Sequence, residues 1–78
     1  MRIRIGDRDY GPMQLLMCMK ALHRAANLHC IDLAYYEDGW VATAIDKDMN
    51  GYDCVADLAR VALCELAEHL GFELVEEK

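Results

Sequence analysis

Residues 13–28, with the sequence MQLLMCMKALHRAANL, have apolar side chains at helical spacing and lie between two segments with strand patterns. The first strand pattern is RIRI at residues 2–5, and the second is CIDLAYY at residues 30–36. Because a helix separates these strands, a simple meander is disfavoured and the sequence predicts an α+β fold. A chain of 78 residues is expected to form a single domain, residues 1–78, with one small core.

A hairpin is predicted in the middle of the chain. The segments at residues 30–36 and 40–45, CIDLAYY and WVATAI, are rich in β-branched and aromatic residues. The turn between them contains Asp38 and Gly39, a pair that favours a tight connection between antiparallel strands. We therefore expect two adjacent antiparallel strands here.

A second helix is predicted over residues 54–70, because apolar side chains recur there at helical spacing. Asp53 would cap the start of this helix, and Gly71 would end it. The segment FELV at residues 72–75 predicts a last short strand.

Each predicted helix follows a short segment that is rich in aspartate and glycine. IGDRDYG at residues 5–11 is similar to IDKDMNG at residues 45–51, and both follow a strand pattern. We interpret residues 6–12 as a turn that leads into the first helix, with Pro12 at its start, where a missing N–H group costs nothing. The repeat indicates two βαβ halves related by a pseudo-twofold axis.

The predicted elements follow the order strand, helix, strand, strand, helix, strand. This order predicts a ferredoxin-like βαββαβ sandwich, with a four-stranded antiparallel sheet and two helices on one face. The other face of the sheet would be open, and an unpaired edge strand would permit a homodimer.

Charge is distributed unevenly along the chain, whose formal net charge is −6. Residues 1–27 contain five basic and two acidic residues, whereas residues 28–78 contain three basic and twelve acidic residues. This acidity argues against direct binding to the phosphate backbone of nucleic acids. It permits binding to a basic protein surface, including one that normally holds nucleic acid.

The N-terminal residues and the cysteines predict a cytoplasmic protein. Arginine and isoleucine alternate at residues 2–5, which is not the pattern of a signal or transit peptide. No apolar stretch has the length needed to cross a membrane. Without a secretion signal, the four cysteines are expected to be reduced thiols.

The segment DKDMNGYDCVAD at residues 46–57 resembles the calcium-binding loop of the EF-hand family. Side chains that carry oxygen occupy its first, third and fifth positions, glycine occupies the sixth, and an acidic residue closes the twelve-residue window. The resemblance implies calcium as a cofactor. The ligands that it implies are Asp46, Asp48, Asn50, the carbonyl oxygen of Tyr52, and Asp57.

The same residues also fit a structural turn without a metal ion. Aspartate and asparagine side chains accept hydrogen bonds from nearby backbone N–H groups in turns. The dipeptide Asn50-Gly51 also adopts left-handed backbone conformations at low cost. The sequence leaves both interpretations open.

No group of residues in the sequence indicates catalysis. The chain has no serine, no glycine-rich phosphate loop, no Cys-x-x-Cys pair and no two histidines at helical spacing. Most of the cysteines are expected to be buried, where a thiol acts as a small hydrophobic group. We therefore predict that the protein is not an enzyme.

The open face of the predicted sheet suggests RNA binding as an alternative function. Arg2 and Arg4 would lie on that face beside Tyr35 or Tyr36, and Trp40 would join them. Arginines beside aromatic residues on a four-stranded sheet resemble the RNA-recognition motif in layout.

Small size, acidity and the lack of a catalytic set favour a partner-binding inhibitor. In these properties the chain resembles small phage-encoded inhibitors such as anti-CRISPR proteins, and residues 35–48 resemble an antitoxin of the HicA–HicB type. The resemblance implies a basic protein or nucleoprotein complex as the partner. We expect acidic and aromatic side chains to make the contact, namely Tyr36, Glu37, Asp38, Trp40, Asp46, Asp48, Glu65 and Glu68.

Overall fold

The computed structural model describes the backbone of residues 2–5, 8–12 and 14–75, and it shows an α+β fold. The described strands form two three-stranded antiparallel sheets, with the orders β2–β1–β6 and β3–β4–β5. The elements are β1 (Arg2–Ile5), β2 (Arg8–Pro12), α1 (Leu15–Ala25), β3 (Leu28–Tyr36), β4 (Gly39–Asp46), β5 (Gly51–Ala56), α2 (Ala59–His69) and β6 (Glu73–Val75).

The prediction of a ferredoxin-like sandwich with one four-stranded sheet is wrong. The order of elements is ββαβββαβ, because two segments predicted as turn or helix form the strands β2 and β5. Each of these strands completes a hairpin with the strand before it. As a result, β1 and β6 pair with each other outside the β3–β4–β5 sheet.

Residues 8–12 form a strand rather than the predicted turn. Pro12 pairs with Arg2 at the end of β2, which is an edge strand of its sheet. Proline is tolerated at such a position because an edge strand has one side without a ladder of hydrogen bonds. Helix α1 starts only at Leu15, so Pro12 does not occupy its first turn as predicted.

Residues 51–56 form a strand rather than the end of a loop and the start of a helix. Asp53 lies in the middle of β5, opposite Thr43, and therefore does not cap α2. That helix begins at Ala59, after Leu58, and it has no hydrogen bond from a capping side chain.

The central hairpin is confirmed, with a turn at residues 37–38 between β3 and β4. Gly39 follows this turn with a φ angle of +124°, which side chains of L-residues rarely permit. Its Cα also lies close to the neighbouring strand, because a Cβ atom added there would be 2.7 Å from the carbonyl oxygen of Ala56. Both features require glycine at this position.

The end of the second helix is confirmed at Gly71. This residue has a φ angle of +87°, and its N–H donates to the carbonyl of Glu68 at 3.0 Å. The N–H of Phe72 donates to the carbonyl of Ala67 at 2.8 Å, so the carbonyl groups of Ala67 and Glu68 are both satisfied at this end of the helix. The first helix ends earlier than predicted, and Asn27, with a φ angle of +52°, turns the chain into β3.

The core lies between the two helices and one face of the β3–β4–β5 sheet. Helix α1 packs on β3 and β1, whereas α2 packs on β4, β5 and β6. The extents of 34 × 32 × 17 Å fit two layers of secondary structure. The buried side chains belong to Cys18, Leu22, Leu28, Ala42, Ala44, Cys54, Ala62, Leu63, Leu66 and Ala67.

The predicted internal repeat appears in the order of elements, but its unit is ββαβ rather than βαβ. The first unit is β1–β2–α1–β3 and the second is β4–β5–α2–β6. In each sheet, the hairpin of one unit pairs with the last strand of the other unit. This exchange of last strands joins the two halves of the fold.

Candidate functional site

The acidic segment between β4 and β5 is a turn organised by the carboxylate of Asp46. Its Oδ1 accepts hydrogen bonds from the backbone N–H groups of Asp48 and Asn50, both at 2.9 Å. Its Oδ2 accepts a third bond from the side-chain amide of Asn50 at 3.1 Å. Met49 adopts a φ angle of +67° at the tip. The Asp46 carboxylate therefore serves the turn itself.

These hydrogen bonds lower the pKa of Asp46 below its ordinary value of 3.8. The largest contribution comes from the backbone N–H of Asn50, which stabilises the charged carboxylate. A carboxylate whose bonds are taken up inside a turn is a weaker candidate for contact with a partner than a free one.

The structure does not bring together the five calcium ligands implied by the EF-hand resemblance. Asp46 is the last residue of β4, and Asp48 and Asn50 lie in the turn beside it. Tyr52, however, is in β5, and Asp57 follows the far end of that strand. Six steps along an extended strand separate Gly51 from Asp57 by about 20 Å. Among the described residues, no three His, Cys, Asp or Glu side chains are grouped as a metal site would require.

The cysteine side chains differ in burial. Cys18 and Cys54 are buried, and this burial raises the pKa of both thiols, with the carboxylates of Glu65 and Asp53 adding to the effect on Cys54. Both are therefore protonated at neutral pH and act as small apolar groups. Cys30 is exposed on β3.

The outer face of the β3–β4–β5 sheet carries an acidic pair at its centre. Thr43 of the middle strand is opposite Asp32 on one side and Asp53 on the other. Side chains alternate across a strand, and the core residues Ala42 and Ala44 lie on the inner face, so these three residues point outward together. Both aspartates are exposed.

Apolar side chains lie next to this acidic pair on the same face. Val41 is opposite Ala34 and Val55, in the row beside Thr43. Val55 is 51% exposed, and Tyr36 is 59% exposed at the end of β3. The face thus offers apolar contacts surrounded by negative charge, which is typical of a protein-binding surface.

The turns at both ends of the sheet extend the negative charge. Glu37 and Asp38 form the exposed turn at one end, and Asp48 is exposed at the other end. Residues 28–56 contain six acidic residues and one lysine. We call this region the acidic sheet face, defined by Asp32, Tyr36, Glu37, Asp38, Val41, Asp48, Asp53 and Val55.

The structure separates the contact residues predicted from the sequence into different surfaces. Tyr36, Glu37, Asp38 and Asp48 belong to the acidic sheet face. Trp40 lies on the inner face, where it packs against the core, and its ring centroid is 5.2 Å from that of Tyr35. Glu65 and Glu68 are exposed on α2, on the helical side of the molecule.

Asp53 and Val55 are surface residues of the sheet, whereas the sequence predicts the start of a helix at these positions. The alternation in GYDCVA is the signal that indicates a strand. In that pattern Tyr52, Cys54 and Ala56 contact the core, while Asp53 and Val55 point outward.

The layout expected for an RNA-recognition surface is not formed. Arg2 and Arg4 lie on β1, whereas Tyr35 and Tyr36 lie on β3, in the other sheet. The side chains of Arg2 and Arg4 are outside the described residues.

In the part of the chain that the structure describes, no helix combines the length and the apolar character needed to cross a membrane. No protein-family model matches this chain, and no curated protein or solved structure is significantly similar to it.

Proposed function

We propose that this chain is a non-enzymatic, cytoplasmic inhibitor that covers a basic surface of a nucleic-acid-handling protein. The observation that carries the proposal is the exposed acidic pair Asp32 and Asp53 on one sheet face, next to exposed apolar side chains. Lysine and arginine side chains of a partner would face these carboxylates. In this respect the chain would act as the small phage-encoded inhibitors do.

Charge and apolar contact have different roles in this binding mode. Exposed ion pairs each contribute little affinity, but complementary charge speeds the encounter of two proteins. Tyr36, Val41 and Val55 provide the apolar area from which affinity is gained. The tyrosine is the best anchor of the three because it combines a large ring with a hydroxyl group.

The sheet face alone is smaller than a stable interface, so the partner would also have to contact the turns at its two ends. Three strands spaced by about 4.8 Å, each about 20 Å long, cover roughly 300 Å². A stable interface needs about 800 Å² on each partner. The turns containing Glu37, Asp38 and Asp48 would therefore have to take part in the contact.

Occlusion explains inhibition without catalysis. A basic surface that holds nucleic acid is already selected to attract negative charge. Carboxylates on a rigid sheet would compete with phosphate groups for the same lysines and arginines. Nucleic acid itself would be repelled by the acidic sheet face, so the partner is a protein.

A charge-reversal experiment with a matched control tests the proposal. We would treat a lysate of cells that naturally contain the chain with nucleases, and then compare the proteins retained by two double variants. One variant carries Asp32→Lys and Asp53→Lys on the sheet, and the control carries Glu65→Lys and Glu68→Lys on α2. Both change the net charge equally, so a difference between them reports on location.

We expect the wild type and the α2 variant to retain the same basic protein, and the sheet variant to lose it. The purified partner should then release labelled nucleic acid when the wild-type chain is added. Equal retention by both variants would show that the acidic sheet face is not the contact. If both variants lost the basic protein, the binding would depend on net charge rather than on the acidic sheet face, which would contradict the proposal.

A further inference from the structure

Strand β3 has a long free edge. It spans nine residues, and β4 pairs with one of its edges, while none of the described strands pairs with the other. In an antiparallel ladder, every second residue of a strand bonds to a given neighbour, and the residues between point their N–H and C=O groups the other way. The pair Tyr36 and Gly39, which closes the hairpin, is bonded between β3 and β4. Ile31, Leu33 and Tyr35 therefore direct their backbone N–H and C=O groups to the free edge.

This edge carries few of the features that normally prevent strand pairing. Asp32 is the only acidic residue in β3, and the strand contains no lysine and no proline. Its last two residues are tyrosines, and Tyr35 is 69% exposed on the inner face of the sheet. A large exposed ring at an unpaired edge is costly in an isolated monomer, because it leaves apolar area in water.

A groove runs along the same edge, between α1 and β3. Its volume is about 440 Å³, and its apolar lining consists of Leu16, Met19 and Ile31. Lys20, His23 and Arg24 form its basic side. No residue of β4 or β5 lines the groove, so it lies on the side of the free edge.

We propose that a second copy of this chain adds its own β3 to this edge and forms a symmetric dimer. In an antiparallel pairing with Leu33 on the twofold axis, Ile31 lies opposite the partner's Tyr35. That ring would enter the groove beside Leu16 and Met19. The same contact occurs twice, as symmetry requires, and it buries both exposed tyrosines.

The charges of the chain favour this register. It places the partner's Glu37 opposite His29, near the basic last turn of α1 with His23 and Arg24. The Nε2 atom of His23 already lies 3.4 Å from the carbonyl oxygen of His29, so this basic turn is close to the strand. In contrast, shifting the axis to Asp32 would place two aspartates opposite each other, which is unfavourable.

The dimer goes beyond the proposed function and does not depend on it. It uses the edge of β3 and the inner side of the sheet, whereas the acidic sheet face remains open apart from Tyr36 and Glu37 at the end of β3. Pairing would join the β3–β4–β5 sheets of the two copies into one six-stranded sheet. The acidic sheet face would then double in width. A doubled face would reach the area of a standard interface more readily.

The first test measures the molar mass of the full chain in solution by light scattering, at protein concentrations up to about 200 μM. The protomer mass is 8.9 kDa, and we expect a concentration-dependent shift to twice that value. Tyr35→Lys should raise the dimer dissociation constant at least about 100-fold, because the anchor is lost twice and a charge faces the partner's Lys20. Circular dichroism would show that the variant is folded.

Val55→Lys is the matched control, because it places the same charge on β5 at the opposite edge of the sheet. It should leave the dissociation constant unchanged within about twofold. A monomer throughout the concentration range would overturn the proposal. So would a dimer that Val55→Lys disrupts and Tyr35→Lys leaves intact.

The second test measures the register with a disulfide. In the proposed pairing, the residue at position 36 lies opposite the partner's Cys30, in a non-hydrogen-bonded pair that suits a cross-strand disulfide. With diamide as oxidant, Tyr36→Cys should form a covalent dimer, whereas Ala34→Cys, two residues away on the same face, should form much less. Cross-linking of Ala34→Cys alone would refute the register.

Discussion

Replacement of Gly39 by alanine should destabilise the protein strongly, although the residue is in an exposed hairpin. Gly39 has a φ angle of +124°, and a Cβ atom there would lie 2.7 Å from the carbonyl oxygen of Ala56. That oxygen belongs to the backbone of β5, so it cannot move aside by rotation of a side chain. Relief requires β4 and β5 to separate at this end.

The size of the effect follows from two costs. A left-handed backbone costs a residue with a Cβ atom roughly 1–2 kcal/mol. Forcing an extra methyl group into a filled space costs about 1–3 kcal/mol. Alanine also restricts the unfolded chain, which offsets about 0.4–1 kcal/mol. We expect a net loss of about 2–4 kcal/mol, a large part of the roughly 4–12 kcal/mol of a domain of this size.

Two other glycines provide controls for the separate costs. Gly71 has a φ angle of +87° but nothing within 4 Å of an added Cβ. With the same offset from the unfolded chain, Gly71→Ala should cost about 0.5–1.5 kcal/mol. Gly51 has neither a positive φ angle nor a close neighbour, and Gly51→Ala should change stability by less than about 0.5 kcal/mol. The difference in stability between Gly39→Ala and Gly71→Ala isolates the cost of the contact with Ala56.

Urea unfolding followed by fluorescence measures these differences. Trp40 is the only tryptophan, and it packs against the core beside Gly39, so its emission reports on loss of the hairpin. Circular dichroism should give the same midpoints if unfolding is two-state. If Gly39→Ala lost no more stability than Gly71→Ala, the close approach of β4 and β5 at Gly39 would be refuted.

Further predictions concern the acidic turn and the thiols. Asp46→Ala should lower the urea midpoint at neutral pH. The difference from wild type should vanish as the pH falls below 3.8 and through the lowered folded pKa, because Asp46 stabilises the fold only while charged. Calorimetric titration with calcium should show no binding up to about 1 mM, because Asp57 is far from Asp46; heat that Asp46→Ala abolishes would contradict this. Ellman's reagent should modify Cys30 in the folded protein, but Cys18 and Cys54 only after unfolding, as mass spectrometry can verify.

Several features of the fold could be predicted from local patterns. The apolar stripes of both helices, the turn before Gly39 and the helix end at Gly71 depend on residues close together in the chain. An apolar stripe at helical spacing indicates a helix whose apolar face packs on a core. A glycine permits a positive φ angle at its own position, whatever the rest of the fold. Such features need no knowledge of the rest of the molecule.

The roles of two short segments depended on contacts that local patterns do not reveal. Arg8–Pro12 contains a glycine and a proline, which together predict a turn, but pairing with β1 makes it a strand. Gly51–Ala56 matches half of a calcium loop, but pairing with β4 extends it and moves Asp57 away from the turn. In both cases a ladder of hydrogen bonds overrides the local preference.

The sequence by itself determined that this chain has two amphipathic helices, a central hairpin and an acidic second half. Only the tertiary structure decided that Asp32 and Asp53 flank Thr43 on one open face, while Glu65 and Glu68 lie on the helical side. It also decided that β6 pairs with β1, so that no described strand pairs with the outer edge of β3. The physical reason is that strand pairing joins residues far apart in the chain, and a shift of one residue in register reverses the face on which each side chain lies.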